Sequence, residues 1–163
     1  MFEDGVDAYQ RGDYRMALNF LRALAEQGDA NAQYDLGSMY YNGERVPQDF
    51  TEAEKWWRMA ADQGNAEAQY NLGVMYANRR IVLQDNAEAV TWYRLAAEQG
   101  HAEAQFNLGA MYFSGDGVVQ DDASAVKWYR MAAEQGHAEA QADLGFMYEN
   151  GLGVPQTGAE ANK

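Results

Sequence analysis

The letters AEQG begin at Ala25, Ala97 and Ala133, and ADQG begins at Ala61, so one tetrad returns every 36 residues. The glycine of an LGxMY element keeps the same step at Gly37, Gly73, Gly109 and Gly145, and so do Trp56, Trp92 and Trp128. Three unrelated motifs locked to one period mean a single supersecondary unit copied along the chain. Such a unit cannot bury its own apolar face, but stacked copies can. This constraint outweighs any other the sequence offers.

Each unit reads as two helices. In "NAEAQYNLGVMYAN" (Asn65–Asn78), Ala68, Leu72, Met75 and Tyr76 fall at three- and four-residue steps, the stripe of an amphipathic helix. The second stretch, "DNAEAVTWYRLAAEQG" (Asp85–Gly100), opens with Asp85 and Glu88 at capping-box spacing. It closes on Gly100, a residue suited to the left-handed position after a helix. Asp49 with Glu52 matches this start, and Asp121 with Ser124 does so less completely. Alanines mark close helix approach, and Trp92 and Tyr93 supply large buried area. No strand pattern fits the register, so the expected fold is an all-α solenoid of helix pairs.

Here the residues resemble a known family. The pattern A-x-A-Q-Y-N-L-G-x-M-Y, then G-x-G-V-x-Q-D, then A-x-x-W-Y-R-x-A-A-E-Q-G is similar to the Sel-1-like repeat (SLR), a relative of the tetratricopeptide repeat, over residues 29–156. The first stretch, "GVDAYQRGDYRMAL" (Gly5–Leu18), looks instead like an ordinary tetratricopeptide unit with a shorter turn. The units then run 1–28, 29–64, 65–100, 101–136 and an incomplete 137–163. The resemblance implies a right-handed α/α superhelix. It also implies an adaptor or scaffold for protein complexes, often in bacterial signalling or host interaction. Some members have been proposed to bind or hydrolyse β-lactams, which leaves an enzyme-like alternative open.

Charge narrows the partners. Twenty-five Asp and Glu against twelve Lys and Arg give a net charge of −13. That repels phosphate backbones, so nucleic acid and anionic membrane surfaces are not expected, and a basic protein segment is. Absence of cysteine removes disulfides and thiolate metal sites. The N-terminus "MFEDGVDAYQ" shows no basic region or apolar run, which predicts a cytoplasmic protein. A chain lacking its precursor's N-terminus would instead be secreted or periplasmic.

Little in the sequence offers chemistry. His101 and His137 open equivalent helices, and packed helices hold equivalent atoms about 10 Å apart, too far to share a metal. Met39, Met75, Met111 and Met147 read as core. No phosphate loop, GxSxG elbow or HExxH motif occurs. No catalytic residue, metal or cofactor is therefore expected.

A binding face follows from the tetratricopeptide resemblance, in which the first helix of each pair lines a concave groove. Carried over by register, that face presents Tyr34, Tyr70 and Phe106, and beside them Asp35, Asn71, Asn107 and Asp143. One turn on come Ser38, Val74 and Phe146, with Tyr41 and Phe113 at the helix ends and Glu67 and Glu103 at the starts. Aromatic rings can anchor a ligand and carboxamides can pair with its backbone. The same rings can equally pack between units. An acidic, aromatic-lined groove for a basic or apolar segment is the expectation.

The loops and the end differ among units. "NRRIVLQD" has Arg79 where other loops have glycine, and Ile81 where Gly117 and Gly153 stand. Glycine there suits a positive φ, so Arg79, Arg80 and Ile81 form either a second contact patch or a drifted surface loop. At the end, Thr157, Glu160 and Ala161 repeat the register of Asp49, Glu52 and Ala53, and Lys163 stops short of the tryptophan position. Either the solenoid continues or a homo-oligomer partner covers the last helix. An apolar surface around Leu144 and Met147 is expected there.

Overall fold

The computed structural model describes residues 14–78 and 85–154. Among the described residues there are eight helices and no strand. These are α1 (Tyr14–Glu26), α2 (Ala30–Asn42), α3 (Phe50–Asp62), α4 (Ala66–Ala77), α5 (Asn86–Glu98), α6 (Ala102–Ser114), α7 (Asp122–Glu134) and α8 (Ala138–Glu149). They fall into two compact units that divide between Leu72 and Gly73.

The AEQG tetrad is a helix stop. At the end of α7, Gly136 lies at φ 89 and its N–H donates to Ala133 O at 2.9 Å. The next N–H, of His137, reaches Ala132 O at 3.2 Å. That pair of reverse bonds is a Schellman motif, which needs the left-handed residue glycine supplies. The residue after the glycine then caps the following helix. Asp29, Asn65, His101 and His137 each accept the backbone N–H three residues on, from Ala32, Ala68, Ala104 and Ala140. Three residues separate the end of one helix from the start of the next.

The other junction is also built by caps. Asp49, Asp85 and Asp121 lie in extended conformation and accept N–H bonds from the first turns of α3, α5 and α7. Between helices, Gln48 and Gln120 donate back to the carbonyls of Tyr41 and Phe113. Gly117 and Gly153 both take positive φ, as the loop pattern predicts. A Cβ at Gly117 would run into the Asn86 carbonyl, so glycine is required by space as well as by φ. Arg45, at the same register position, takes φ 66 without being glycine.

The core follows the repeat. In the first unit, Ala25, Ala32, Leu36 and Trp56 form one buried cluster, flanked by Leu18, Leu21, Leu24 and Tyr40. In the second, Ala125, Val126, Tyr129, Ala132, Ala140 and Met147 form another. The glycine of LGxMY is where the next helix comes closest. A Cβ on Gly37 would lie 2.5 Å from Trp57 Cδ1, and one on Gly109 would lie 2.9 Å from Tyr129 Cδ1. A ring therefore sits where a side chain would have been.

The expectation for the last helix is corrected at Met147. It is 1% exposed, inside the second cluster, and Leu144 packs against the same cluster. In α8 the methionine points back to α7, which already buries it. The exposed apolar residue there is Phe146, at 52%.

Candidate functional site

The buried glutamines of the first helices fasten one repeat to the next. Gln33 Nε2 donates to Ala25 O at 3.0 Å, and its Oε1 accepts Gln63 Nε2 at 2.8 Å. In the second unit, Gln105 Nε2 donates to Ala97 O at 3.1 Å and its Oε1 accepts Gln135 Nε2 at 2.9 Å. Gln135 also donates to Gly100 O. Every polar atom of a buried carboxamide is thus matched, which is what burying it demands. Sequence reasoning passed over these residues because glutamine ordinarily signals surface. Their strict recurrence one step after the capping alanine was the available signal.

His137 joins α8 to α6. Its Nδ1 accepts the Ala140 N–H, so the ring proton sits on Nε2, 2.9 Å from Glu103 Oε1. The ring stacks on Phe106 at 4.7 Å between centroids, and Phe106 meets Tyr129 at 5.7 Å. The histidine is a cap and a brace. Among the described residues no group of three or more His, Cys, Asp or Glu could hold a metal ion.

The sequence-derived site residues divide by what holds them. Phe106 is a packing ring between Tyr129 and His137. Tyr41 lies against Phe50 and Trp57, at 5.3 and 5.1 Å. Ser38 Oγ donates to Tyr34 O, which also accepts Trp57 Nε1. These serve the α2–α3 and α6–α7 seams. Tyr34, Tyr70 and Val74 are half-buried, whereas Glu67, Glu103, Phe113 and Phe146 are exposed. Arg79, Arg80 and Ile81 lie outside the described residues.

One register position stands apart. Asp35 and Asn71 in the first unit, and Asn107 and Asp143 in the second, are half-buried, yet make no side-chain hydrogen bond among the described residues. Burial, and secondarily the charge of Asp29, pushes the Asp35 carboxyl above the ordinary aspartate range. Asp143 is raised by burial and by Glu139, against an opposing pull from His137. Tyr129 is pushed up to about 12 by burial and by the Asp143 charge. A half-desolvated carboxylate without a compensating partner favours a cation or a donor brought by a ligand.

The serines are occupied by local structure. Ser114 Oγ donates to Ala110 O and Ser124 Oγ to Asp121, the α7 cap. The Ser124 bonds hold the Asp121 carboxyl below its ordinary range.

The Sel1 repeat family model matches residues 1–29, 30–65, 66–101, 102–137 and 138–161. It thereby counts the opening stretch, with its tetratricopeptide-like turn, as a repeat of the same kind. Among solved structures, the chain is similar to a protective antigen of uropathogenic Escherichia coli strains that displays an SLR fold. The two share 46% identity over 88% of this chain and 31% of that one, with a TM-score of 0.82. A Sel1 repeat protein from Oxalobacter formigenes is 36% identical over 99% of this chain and 66% of that one, with a TM-score of 0.89. Helicobacter pylori cysteine-rich protein B, 21% identical with a TM-score of 0.60 over 88% of this chain and 97% of that one, shares the fold. The chain thus spans 31% of the Escherichia coli chain and 66% of the Oxalobacter chain. No curated protein matches it.

Proposed function

The chain belongs to the Sel1 repeat family, and on that premise we propose that it is a non-enzymatic interaction module holding a protein segment on its first-helix face. Sel1 repeat proteins are generally protein-interaction modules of scaffold type. The observation that carries the reading is one register position, Asp35 and Asn71 in the first unit and Asn107 and Asp143 in the second, each half-buried and without a side-chain hydrogen bond among the described residues. Polar groups held this way lose water without gaining a partner, a cost a ligand backbone or cation removes. Exposed Glu67, Glu103 and Glu139 and the charge of −13 favour a basic segment. Exposed Phe113 and Phe146 add apolar anchor area. No described helix is long and apolar enough to cross a membrane.

A displayed peptide library selected on the intact protein tests this. Enriched peptides are expected to be basic, and the Asn71→Ala, Asn107→Ala double variant should weaken them by about 1–3 kcal/mol in total. Association should slow as salt rises, since exposed charges are screened beyond about 8–10 Å. Selected peptides that bind the double variant with full affinity would remove the site from this face.

A further inference from the structure

The cations of the described helices all lie on α1, α3, α5 and α7, while α2, α4, α6 and α8 carry no Lys or Arg. The same set of helices holds exposed apolar residues in one register, Met59 at 39%, Leu95 at 41% and Met131 at 37%. Leu95 is exposed although α6 and α7 follow it in the same unit, so the stacking of repeats does not cover this position. On α7 the outward stripe is complete. Lys127, Met131 and Glu134 are exposed at four- and three-residue steps, one face of a helix. Lys127 Nζ lies over the Trp128 ring at 4.7 Å, and neither Lys127 nor Glu134 makes a side-chain hydrogen bond or ion pair among the described residues. Glu134 also sits in the last turn, where the helix dipole disfavours a carboxylate and favours a cation.

We infer that the outward stripe of α7 is a homodimer seam, on which α7 of a second copy lies antiparallel. Read in reverse, the stripe is its own complement. Lys127 comes opposite the partner's Glu134, Glu134 comes opposite the partner's Lys127, and Met131 meets the partner's Met131 near the axis between them. A parallel arrangement would set lysine on lysine. Lys127 and Glu134 are seven residues apart, about 10.5 Å along the helix, which leaves room for both pairs around one apolar contact. Helix α7 is also neutral, with Asp122 and Glu134 against Lys127 and Arg130, whereas the whole chain carries −13. At about 0.15 M salt, charges beyond about 8 Å are screened, so the paired contacts outweigh the repulsion between whole copies. Both α5 and α7 pack on α6, so Leu95 adds apolar surface on the neighbouring helix. This seam lies on the alternate set of helices from Asn71 and Asn107, so it goes beyond the peptide-binding reading and its test is separate.

Sedimentation equilibrium of the intact protein at about 0.15 M salt is expected to show a monomer–dimer equilibrium between about 10 μM and 1 mM, the weak range of a small interface. Lys127→Glu or Glu134→Lys alone sets like charges across both contacts and should weaken the dimer at least tenfold. Mixing these two variants should restore it, because each supplies what the other lacks, and the double swap in one chain should do the same. Met131→Ser should weaken it several-fold. All three positions are exposed, so circular dichroism should show every variant folded. A monomer up to about 1 mM, where specific contacts become negligible, would overturn the inference and leave the stripe to a different polypeptide. So would a dimer that neither reversal disturbs, or one lost in the single variants and not restored on mixing.

Discussion

Helices α6 and α8 start with the same five letters, HAEAQ, and share LG and MY seven and ten residues in, yet they live differently. Gln105 is 1% exposed and doubly bonded, whereas Gln141 is exposed with one bond. Gly109 lies under the Tyr129 ring, and Gly145 faces open space. Both helices have the same histidine cap and nearly the same length. Local sequence therefore makes the helix, and the following helix decides what is buried. Among the described residues, α7 supplies the ring over Gly109, and no described helix follows α8.

The sharpest way to break that comparison is to strip the cover from α6. Tyr129→Ala should cost about 3–5 kcal/mol in denaturant unfolding, since a buried ring leaves a cavity on the glycine seat. Phe146→Ala, at an exposed position of α8, should stay within about 0.5 kcal/mol. Equal costs would mean that α8 is packed like α6. Next in size is the glutamine pair. Gln105→Ala removes its bonds to the Ala97 carbonyl, which keeps the Gly100 N–H, and to the Gln135 carboxamide, which should cost about 1–3 kcal/mol. Gln141→Ala should cost clearly less, because it gives up one bond, from an exposed side chain, to an Ala133 carbonyl that keeps the Gly136 N–H.

The smallest effect sharpens the comparison through pH. Asn107 in α6 does not titrate, whereas Asp143 in α8 has its carboxyl raised, chiefly by burial. A raised acid keeps its proton longer in the folded state than in the unfolded one. Its contribution to stability therefore falls as pH rises from the ordinary aspartate value through the raised one. Asp143→Asn should gain on the parent across that window and hold the gain at neutral pH, with the difference vanishing in stronger acid. Thermal melts from pH 3 to 7 would show it, and a variant less stable than the parent at pH 7 would contradict the cause assigned.

Much of this was legible in the letters. The period gave the helix pairs, Asp85 with Glu88 marked a helix start, and Gly100 marked a stop, because caps and left-handed turns are local chemistry. The Trp92 and Tyr93 core positions were legible for the same reason, as periodic apolar residues. Less legible was anything decided across a seam. Gln33 and Gln105 look like surface residues until the next repeat closes over them. Phe106 read equally as a groove anchor or as a ring packing between units, and it packs on Tyr129 and His137. Met147, read both as core by its spacing and as part of an apolar end surface, is buried against α7. Arg45 shows the opposite limit, a non-glycine residue at the positive φ that Gly117 and Gly153 mark.

The two-residue corner at Gly136–His137 has a genetic consequence. Stop and cap are written side by side in the sequence, and the same pair of glycine stop and capping side chain recurs at Gly28–Asp29, Gly64–Asn65, Gly100–His101 and Gly136–His137. An in-frame duplication of one repeat therefore inserts a unit whose both ends already fit. A single-residue insertion in the corner breaks the stop and the cap at once. A gene for such a chain is free to lengthen in whole repeats and is constrained against drifting by one codon, which accounts for a period held without slippage at 36 residues.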